Sequence, residues 1–308
     1  MLSIVCPFYN EQEAVEAFFA RLIPILNDTG EGFEIICVND GSQDETLSRL
    51  LAARHDYPGV RIVDLSRNYG KEAALTAGID TATGDAVIPI DADLQDPPEV
   101  IPLLLVKWRE GFDVVLAKRV DRASDSWLKR TMATMFYRLH NRIADVPIPE
   151  NVGDFRLMDR IVIDAVRQLP ERRRFMKGIF AWVGFRTAVV EYVRESRSAG
   201  YSKFNGWRLW NFALDGITAF STAPLRIWSY FGLVVAGFAF LYGVFIISRT
   251  LLLGIDLPGY ASLLAAVLFL GGIQLIGLGV IGEYLGRVYS ESKQRPIYLV
   301  RKIYNEKD

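Results

Sequence analysis

Ile90-Asp91-Ala92-Asp93-Leu94-Gln95-Asp96-Pro97-Pro98-Glu99 decides how the rest of the chain is read. An apolar run ends at Ile90, and two carboxylates then follow one residue apart. Side chains at i and i+2 point the same way where the backbone stays extended. Two hard oxygen donors at that spacing, with an amide oxygen at Gln95, suit Mg2+ or Mn2+. A cation held there would bridge diphosphate oxygens and offset charge growing on a nucleotide leaving group. A solvated acidic loop uses the same residue types. What favours the metal reading is the place of the pair, at the end of a buried strand with Gln-Asp-Pro-Pro-Glu after it.

Working outward toward the N-terminus, apolar runs at 2–6, 34–38, 61–65, 86–90 and 113–117 read as strands. Segments near 11–26, 44–54, 71–81 and 98–109 read as helices between them. This alternation predicts an α/β fold with a mostly parallel sheet. The strands are near-continuous apolar runs, as expected when helices cover both faces. Ligands of such sheets bind beyond the carboxyl ends of the strands. Two more polar loops fall there, Pro7-Phe8-Tyr9-Asn10-Glu11 and Asn39-Asp40-Gly41-Ser42. An aromatic ring stacks on a base, and Glu11 or Asp40 accepts hydrogen bonds from base or ribose. The second loop also suits a plain turn and helix cap.

The chain has 308 residues and a net charge of -1, which gives no electrostatic reason to expect nucleic acid as a partner. Its two cysteines, Cys6 and Cys37, sit inside apolar runs and read as buried thiols in neighbouring strands. The two histidines, His55 and His140, have no ligand spacing. No secretory signal opens the sequence, so the N-terminal domain is expected in the cytoplasm.

Toward the C-terminus the character changes. Residues 127–145 and 206–225 combine apolar helical faces with basic or aromatic residues, as in helices lying in a membrane interface. Apolar stretches at 227–253 and 261–282 each approach or exceed the roughly 20 residues that cross a bilayer. The link between them is short, so they form a hairpin. Arg226 before it and Arg287, Lys293, Arg295, Arg301 and Lys302 after it place both ends on the cytoplasmic side. Arg172-Arg173-Arg174 reads as basic surface facing headgroups. Gly277-Leu278-Gly279-Val280-Ile281-Gly282 fits G-x-G-x-x-G, yet it lies within an apolar span and follows no strand. These glycines are read as sites of close helix approach instead.

Pro-x-Tyr-Asn-Glu, Asn-Asp-Gly-Ser, Asp-Ala-Asp-Leu-Gln-Asp-Pro-Pro-Glu and Gly153-Asp154-Phe155-Arg156 together resemble the family 2 glycosyltransferases of GT-A fold. Within them the chain is most similar to the polyprenyl-phosphate sugar transferases, especially the bactoprenol (undecaprenyl-phosphate) glucosyltransferase branch, which is related to dolichyl-phosphate mannose synthases. The resemblance implies roles at matching positions. Pro7, Tyr9, Glu11, Asp40 and Asp91 would hold the nucleotide sugar, and Asp91, Asp93 and Gln95 the metal. Asp154 would be the acceptor-site base. Arg119, Arg130, Arg197, Ser202 and Lys203 would meet diphosphate or lipid phosphate, the last three in an Arg-x-x-Gly-x-Ser-Lys segment. Arg119, Arg130, Arg197 and Lys203 suit phosphate by chemistry alone, although a basic membrane-facing surface needs the same residues.

A phosphate monoester with a second pKa of about 6 is already largely dianionic at neutral pH. Asp154 would then orient the acceptor, take a residual proton or stabilise positive charge at the anomeric carbon. One carboxylate with no second nucleophile favours a single inverting displacement. The expected layout is a GT-A domain with acceptor region over 1–205, an interface helix over 206–226, two transmembrane helices over 227–286 and a cytoplasmic tail over 287–308. The expected reaction moves glucose from UDP-glucose to undecaprenyl phosphate for cell-envelope glycan modification, at a bacterial inner membrane, in a homo-oligomer. Donors such as GDP-mannose or a UDP-aminopentose, and a non-catalytic nucleotide-binding scaffold, are the rivals.

Overall fold

Strand β1 (Leu2–Phe8) buries residues that point to both sides of the sheet. Leu2, Ile4, Cys6 and Phe8 enter one apolar cluster, and Val5 enters another. That two-sided burial is why the run carries no alternation. In a computed structural model of the protein, residues 1–120, 149, 152–172, 174–193, 223–253 and 259–305 are described. After β1 come α1 (Val15–Asp28), β2 (Phe33–Asn39), α2 (Thr46–Asp56), β3 (Val60–Leu65), α3 (Lys71–Thr81), β4 (Ala86–Pro89), α4 (Ile101–Arg109) and β5 (Val114–Arg119). Then follow β6 (Val152–Asp159), α5 (Arg160–Gln168), α6 (Met176–Trp182), β7 (Thr187–Tyr192), α7 (Ala223–Leu253), α8 (Tyr260–Ser292) and β8 (Val300–Tyr304).

The strands form one eight-stranded sheet in the order β7-β5-β6-β4-β1-β2-β3-β8. The central run β4-β1-β2-β3 is parallel, as expected. β6 enters antiparallel between β4 and β5, and β8 runs antiparallel along β3. Helices α1, α2 and α4 bury Phe18, Phe19, Leu22, Leu50, Ile101 and Leu104 against one face. Helices α3, α5 and α6 bury Leu75, Ile79, Val162, Ile163, Met176 and Ile179 against the other. Cys6 and Cys37 are aligned partners in β1 and β2, and both thiols are free and buried.

Two helix boundaries shift for identifiable reasons. The helix expected from residue 11 starts at Val15, because the backbone N–H groups of residues 10–12 turn to the 42–46 loop. The helix expected over 98–109 opens as a 3-10 turn, Pro98–Val100, before α4.

The C-terminal region holds two long helices, α7 and α8. Within them Ile227–Leu252 and Phe269–Ser292 are long and apolar enough to span a bilayer, and Phe238, Phe240, Leu251, Leu252 and Leu275 are exposed. The G-x-G-x-x-G run lies inside α8, with no strand before it. At Gly277 an added Cβ would strike the Trp228 indole of α7, so this glycine lets the hairpin close on itself. The tail beyond α8 is not a loose end, since β8 belongs to the catalytic sheet. Arg172 ties the domain to the end of α8. Its backbone N–H donates to Glu291 Oε1 of α8 at 3.0 Å and its Nε to the Arg295 carbonyl at 2.9 Å. Arg174 donates to the Leu169 carbonyl at 2.8 Å. These two arginines hold the domain's own backbone and the end of α8. The expected interface helix at 127–145 lies outside the described residues, as does 206–222 of the second.

Candidate active site

The loops after β1 and β2 are stitched to each other. Asn10 N donates to Ser42 Oγ at 3.1 Å, Glu11 N to Thr46 Oγ1 at 3.0 Å and Gln12 N to Asp44 Oδ2 at 3.3 Å. Gln43 N and Glu45 N donate back to the Asn10 and Gln12 side chains at 2.8 and 3.0 Å. Pro7 is the next-to-last residue of β1, just before this seam, and Tyr9 and Glu11 lie in it.

Asp40 is 2% exposed, and its carboxylate faces the loop after β3. It accepts from Asn68 Nδ2 at 3.0 Å, Tyr69 N at 2.7 Å and Gly70 N at 2.9 Å. Burial pushes its carboxyl above the ordinary value, and the Tyr69 and Gly70 N–H groups and the Arg67 charge offset only part of that. Gly41 explains how the loops come so close. Its φ is +64°, and a Cβ there would fall 2.5 Å from the Asn68 nitrogen. Only glycine meets both demands.

The 66–70 loop delivers Lys71, the first residue of α3, to the ends of β4 and β6. Lys71 Nζ lies 2.7 Å from Asp91 Oδ1 and 2.8 Å from Asp154 Oδ2. One ammonium therefore joins the proposed nucleotide and metal carboxylate to the proposed acceptor-site carboxylate. Burial would lower the Lys71 pKa, but the two carboxylates hold it well above the ordinary lysine value. Burial alone would raise Asp154. Lys71, then Lys177 and Arg156, outweigh it and hold that carboxyl below the usual range. Asp154 Oδ1 is buried and has no hydrogen-bond partner among the described residues.

Behind Asp154, two residues on along β6, the Arg156 guanidinium lies 4.5 Å from the Phe180 ring centroid and donates to the Gly153 carbonyl at 2.7 Å. Burial lowers Arg156 to about 10, with the Asp154 charge opposing. Glu72 Oε2 accepts from Met176 N at 3.1 Å at the start of α6. Burial, then the Asp154 charge, pushes Glu72 up to about 7.

The acidic loop itself is tightly wound. Asp93 Oδ1 accepts from Gln95 N at 3.2 Å, and Leu94 between them takes φ 53° while its side chain is buried. A leucine in the left-handed region is strained and persists where its surroundings fix it. Asp96, also buried, accepts from the Tyr192 hydroxyl of β7. Arg119 Nη2 stands 3.6 Å from Asp96 Oδ1, and Arg119 Nε donates to the Tyr192 oxygen at 3.3 Å. Asp91, Asp93, Asp154 and Arg119 thus gather at one end of the sheet. Arg130, Arg197, Ser202 and Lys203 lie outside the described residues.

Asp91, Asp93 and Gln95 carry oxygen donors of the kind a hard divalent cation takes, and in this structure Lys71 Nζ contacts both Asp91 oxygens, at 2.7 and 2.9 Å. Among the described residues no group of three or more His, Cys, Asp or Glu side chains could enclose a metal. Asp91 and Asp93, with the Gln95 amide, would supply part of a coordination shell, and diphosphate and water the remainder. Mg2+ sites have this form.

Lys71 and Tyr192 escaped the sequence reading, and Arg156 entered it only as a member of the Gly153-Asp154-Phe155-Arg156 motif. Lys71 carried a signal. It is a cation in the first turn of a helix, where the macrodipole disfavours positive charge. Tyr192 carried none, because its partner Asp96 lies 96 positions away.

The mostly parallel sheet and the polar loops at its strand ends have the arrangement expected of a GT-A-type glycosyltransferase. Residues 3–167 match glycosyltransferase family 2, and the chain belongs to that family. Residues 223–288 match the GtrB C-terminal hairpin. The chain is 56% identical to an uncharacterized glycosyltransferase of Synechocystis over 98% of this chain and 95% of that one. It is 54% identical to a prophage bactoprenol glucosyl transferase homolog of Escherichia coli K12, over 98% and 99% of the two chains. It is 56% identical to the bactoprenol glucosyl transferase of Shigella phage SfV, over 99% of each.

Proposed function

We propose that this enzyme transfers glucose from UDP-glucose to undecaprenyl phosphate, with inversion, at the cytoplasmic face of a bacterial inner membrane. The observation that carries this reading is the Lys71 bridge between Asp91 and Asp154, set beside a loop with a second carboxylate. Near-full-length identity to bactoprenol glucosyl transferases supports the sugar and the acceptor. The two exposed apolar helices support a membrane location.

Tyr9, Glu11 and the Asn39–Asp40 turn would receive the nucleoside. Asp40 has already spent three hydrogen bonds on the 68–70 loop, so its share is chiefly to shape that wall. Asp91, Asp93 and Gln95 would hold Mg2+ or Mn2+, which when bound supplies positive charge against the leaving diphosphate. An oxygen of the acceptor phosphate forms a bond to the anomeric carbon. The bond from that carbon to the diphosphate breaks, and its electron pair leaves with UDP. Asp154, across Lys71 from Asp91, would stabilise positive charge at the anomeric carbon, since its lowered carboxyl is a poor base for a phosphate proton and its Oδ1 is buried. Lys71 offsets two carboxylates that would otherwise repel each other and the phosphates. Arg119 and, by family resemblance, Arg130, Arg197, Ser202 and Lys203 would bind phosphate oxygens.

The test uses full-length protein in detergent with undecaprenyl phosphate and radiolabelled UDP-glucose, UDP-N-acetylglucosamine or GDP-mannose. Label is expected in the organic phase from UDP-glucose alone, and Asp93→Ala and Asp154→Asn are expected to abolish it. Transfer from GDP-mannose in preference would overturn the donor assignment.

A further inference from the structure

We infer that Arg301, on the strand that follows the long helices, is a positioning residue for the catalytic loop that ends in Lys71. The inference rests on the reading of Asp91 and Asp154 as the reacting site.

Strand β8 lines β3, with Asp64 opposite Lys302 and Leu65 opposite Val300, and the register slips between those two pairs. At the slip, Ser66 N donates to the Leu299 carbonyl at 2.9 Å. Arg301 then reaches across the strand end. Its Nη2 donates to the Ser66 carbonyl at 2.9 Å, and its Nη1 stands 3.6 Å from Asp64 Oδ2. Asp64 is 1% exposed, and that oxygen has no hydrogen-bond partner among the described residues. Its other oxygen accepts from Asn39 Nδ2 at 2.7 Å. A carboxylate this deep needs a counter-charge, and Arg301 faces it.

The 66–70 loop is thus held at both ends. Arg301 and Leu299 fix its start at Ser66, while Asp40, next to Asn39, takes the N–H groups of Tyr69 and Gly70 at its finish. The next residue is Lys71, whose ammonium joins Asp91 and Asp154. A side chain from beyond the anchor therefore sets the geometry of the reacting carboxylates through one short loop. Tyr298 provides an internal control. It ties the same tail to the domain by donating to Asp80 Oδ2 at 2.8 Å, at the far end of α3 and away from the loop.

The experiment compares full-length wild type, Arg301→Ala, Arg301→Lys and Tyr298→Phe in nanodiscs. Amide hydrogen exchange at Tyr69 and Gly70 is expected to quicken about tenfold in Arg301→Ala, to recover in part in Arg301→Lys and to stay unchanged in Tyr298→Phe. With UDP-glucose, the KM of Arg301→Ala is expected to rise about fivefold while kcat changes less. Unchanged exchange at those two amides in Arg301→Ala would overturn the proposal, and so would an equal rise in Tyr298→Phe. A lowered melting temperature with unchanged KM would reduce Arg301 to a stabiliser of the sheet edge and would also sink it. If wild type fails to turn over UDP-glucose, the donor reading fails, and the exchange comparison still decides the role of Arg301.

Discussion

Lys71 Nζ stands 2.8 Å from Asp154 Oδ2, which puts a cation of α3 against the buried carboxylate of β6. The cation sits in the helix's first turn, against the macrodipole, so the carboxylates must repay its placement. Lys71→Met leaves Asp91 and Asp154 facing each other without an intervening charge. The expected result is a loss of about 100-fold in kcat, roughly 3 kcal/mol, with an unaltered circular dichroism spectrum. Wild-type kcat in the variant would show that the bridge has no part in turnover.

Tyr192→Phe removes the hydroxyl that donates to buried Asp96 and accepts from Arg119. Loss of a donor to a buried carboxylate costs about 1–3 kcal/mol. The melting temperature is expected to fall by several degrees. Because Asp96 belongs to the acidic loop, the metal concentration needed for half-maximal activity is expected to rise as well. Metal titrations of the two proteins that superimpose would refute that link.

Glu34 gives the acid limb of stability. Its Oε1 accepts from Ser3 Oγ at 2.6 Å and from Thr83 N and Oγ1 at 2.7 Å each, and Oε2 faces Arg61 at 2.9 Å. Burial would raise this carboxyl, but those hydrogen bonds outweigh it and lower the pKa from 4.5. A depressed folded pKa contributes stability that is complete above the unfolded value and is lost as pH falls through the folded one. Glu34→Gln is therefore expected to be less stable than wild type at neutral pH. The gap should narrow once pH drops below the ordinary carboxyl value of 4.5. Denaturant melts across pH 3–7, a range of about four units around that value, measure this. A gap that stays constant with pH would remove the assignment.

Gly41→Ala asks the backbone to keep φ +64° and to admit a Cβ against the Arg67–Asn68 backbone. The two loops must part. The expected cost is about 2 kcal/mol or more, with weaker nucleotide binding by calorimetry because the Asp40 contacts to residues 68–70 move with them. An alanine variant that binds UDP like wild type would contradict this.

Much of the fold was legible because burial on both faces writes an uninterrupted apolar run, as in Ile35, Ile36, Cys37 and Val38. The carboxylates of the acidic loop were legible because a strand end and a motif coincide. β6 was harder to read as a strand, since it mixes Gly153, Asp154 and Arg156 with apolar residues. β8 was hidden for a different reason. Val300, Arg301 and Lys302 are exposed, and an edge strand with one covered side carries few apolar positions. The Arg172 contact with Glu291 joins positions 119 apart, and no local pattern encodes it.

The outer neighbour of β3 is made from residues 300–304, which the ribosome produces after both long helices. Chains emerge N-terminus first. While α7 and α8 are being synthesised, β3 shows unpaired amides and carbonyls along one side, the kind of border that recruits foreign strands. The final strand closes that border only once the apolar hairpin has left the ribosome. Closure of this edge thus waits until both long helices have been made, and a polypeptide released before residue 300 would leave it open.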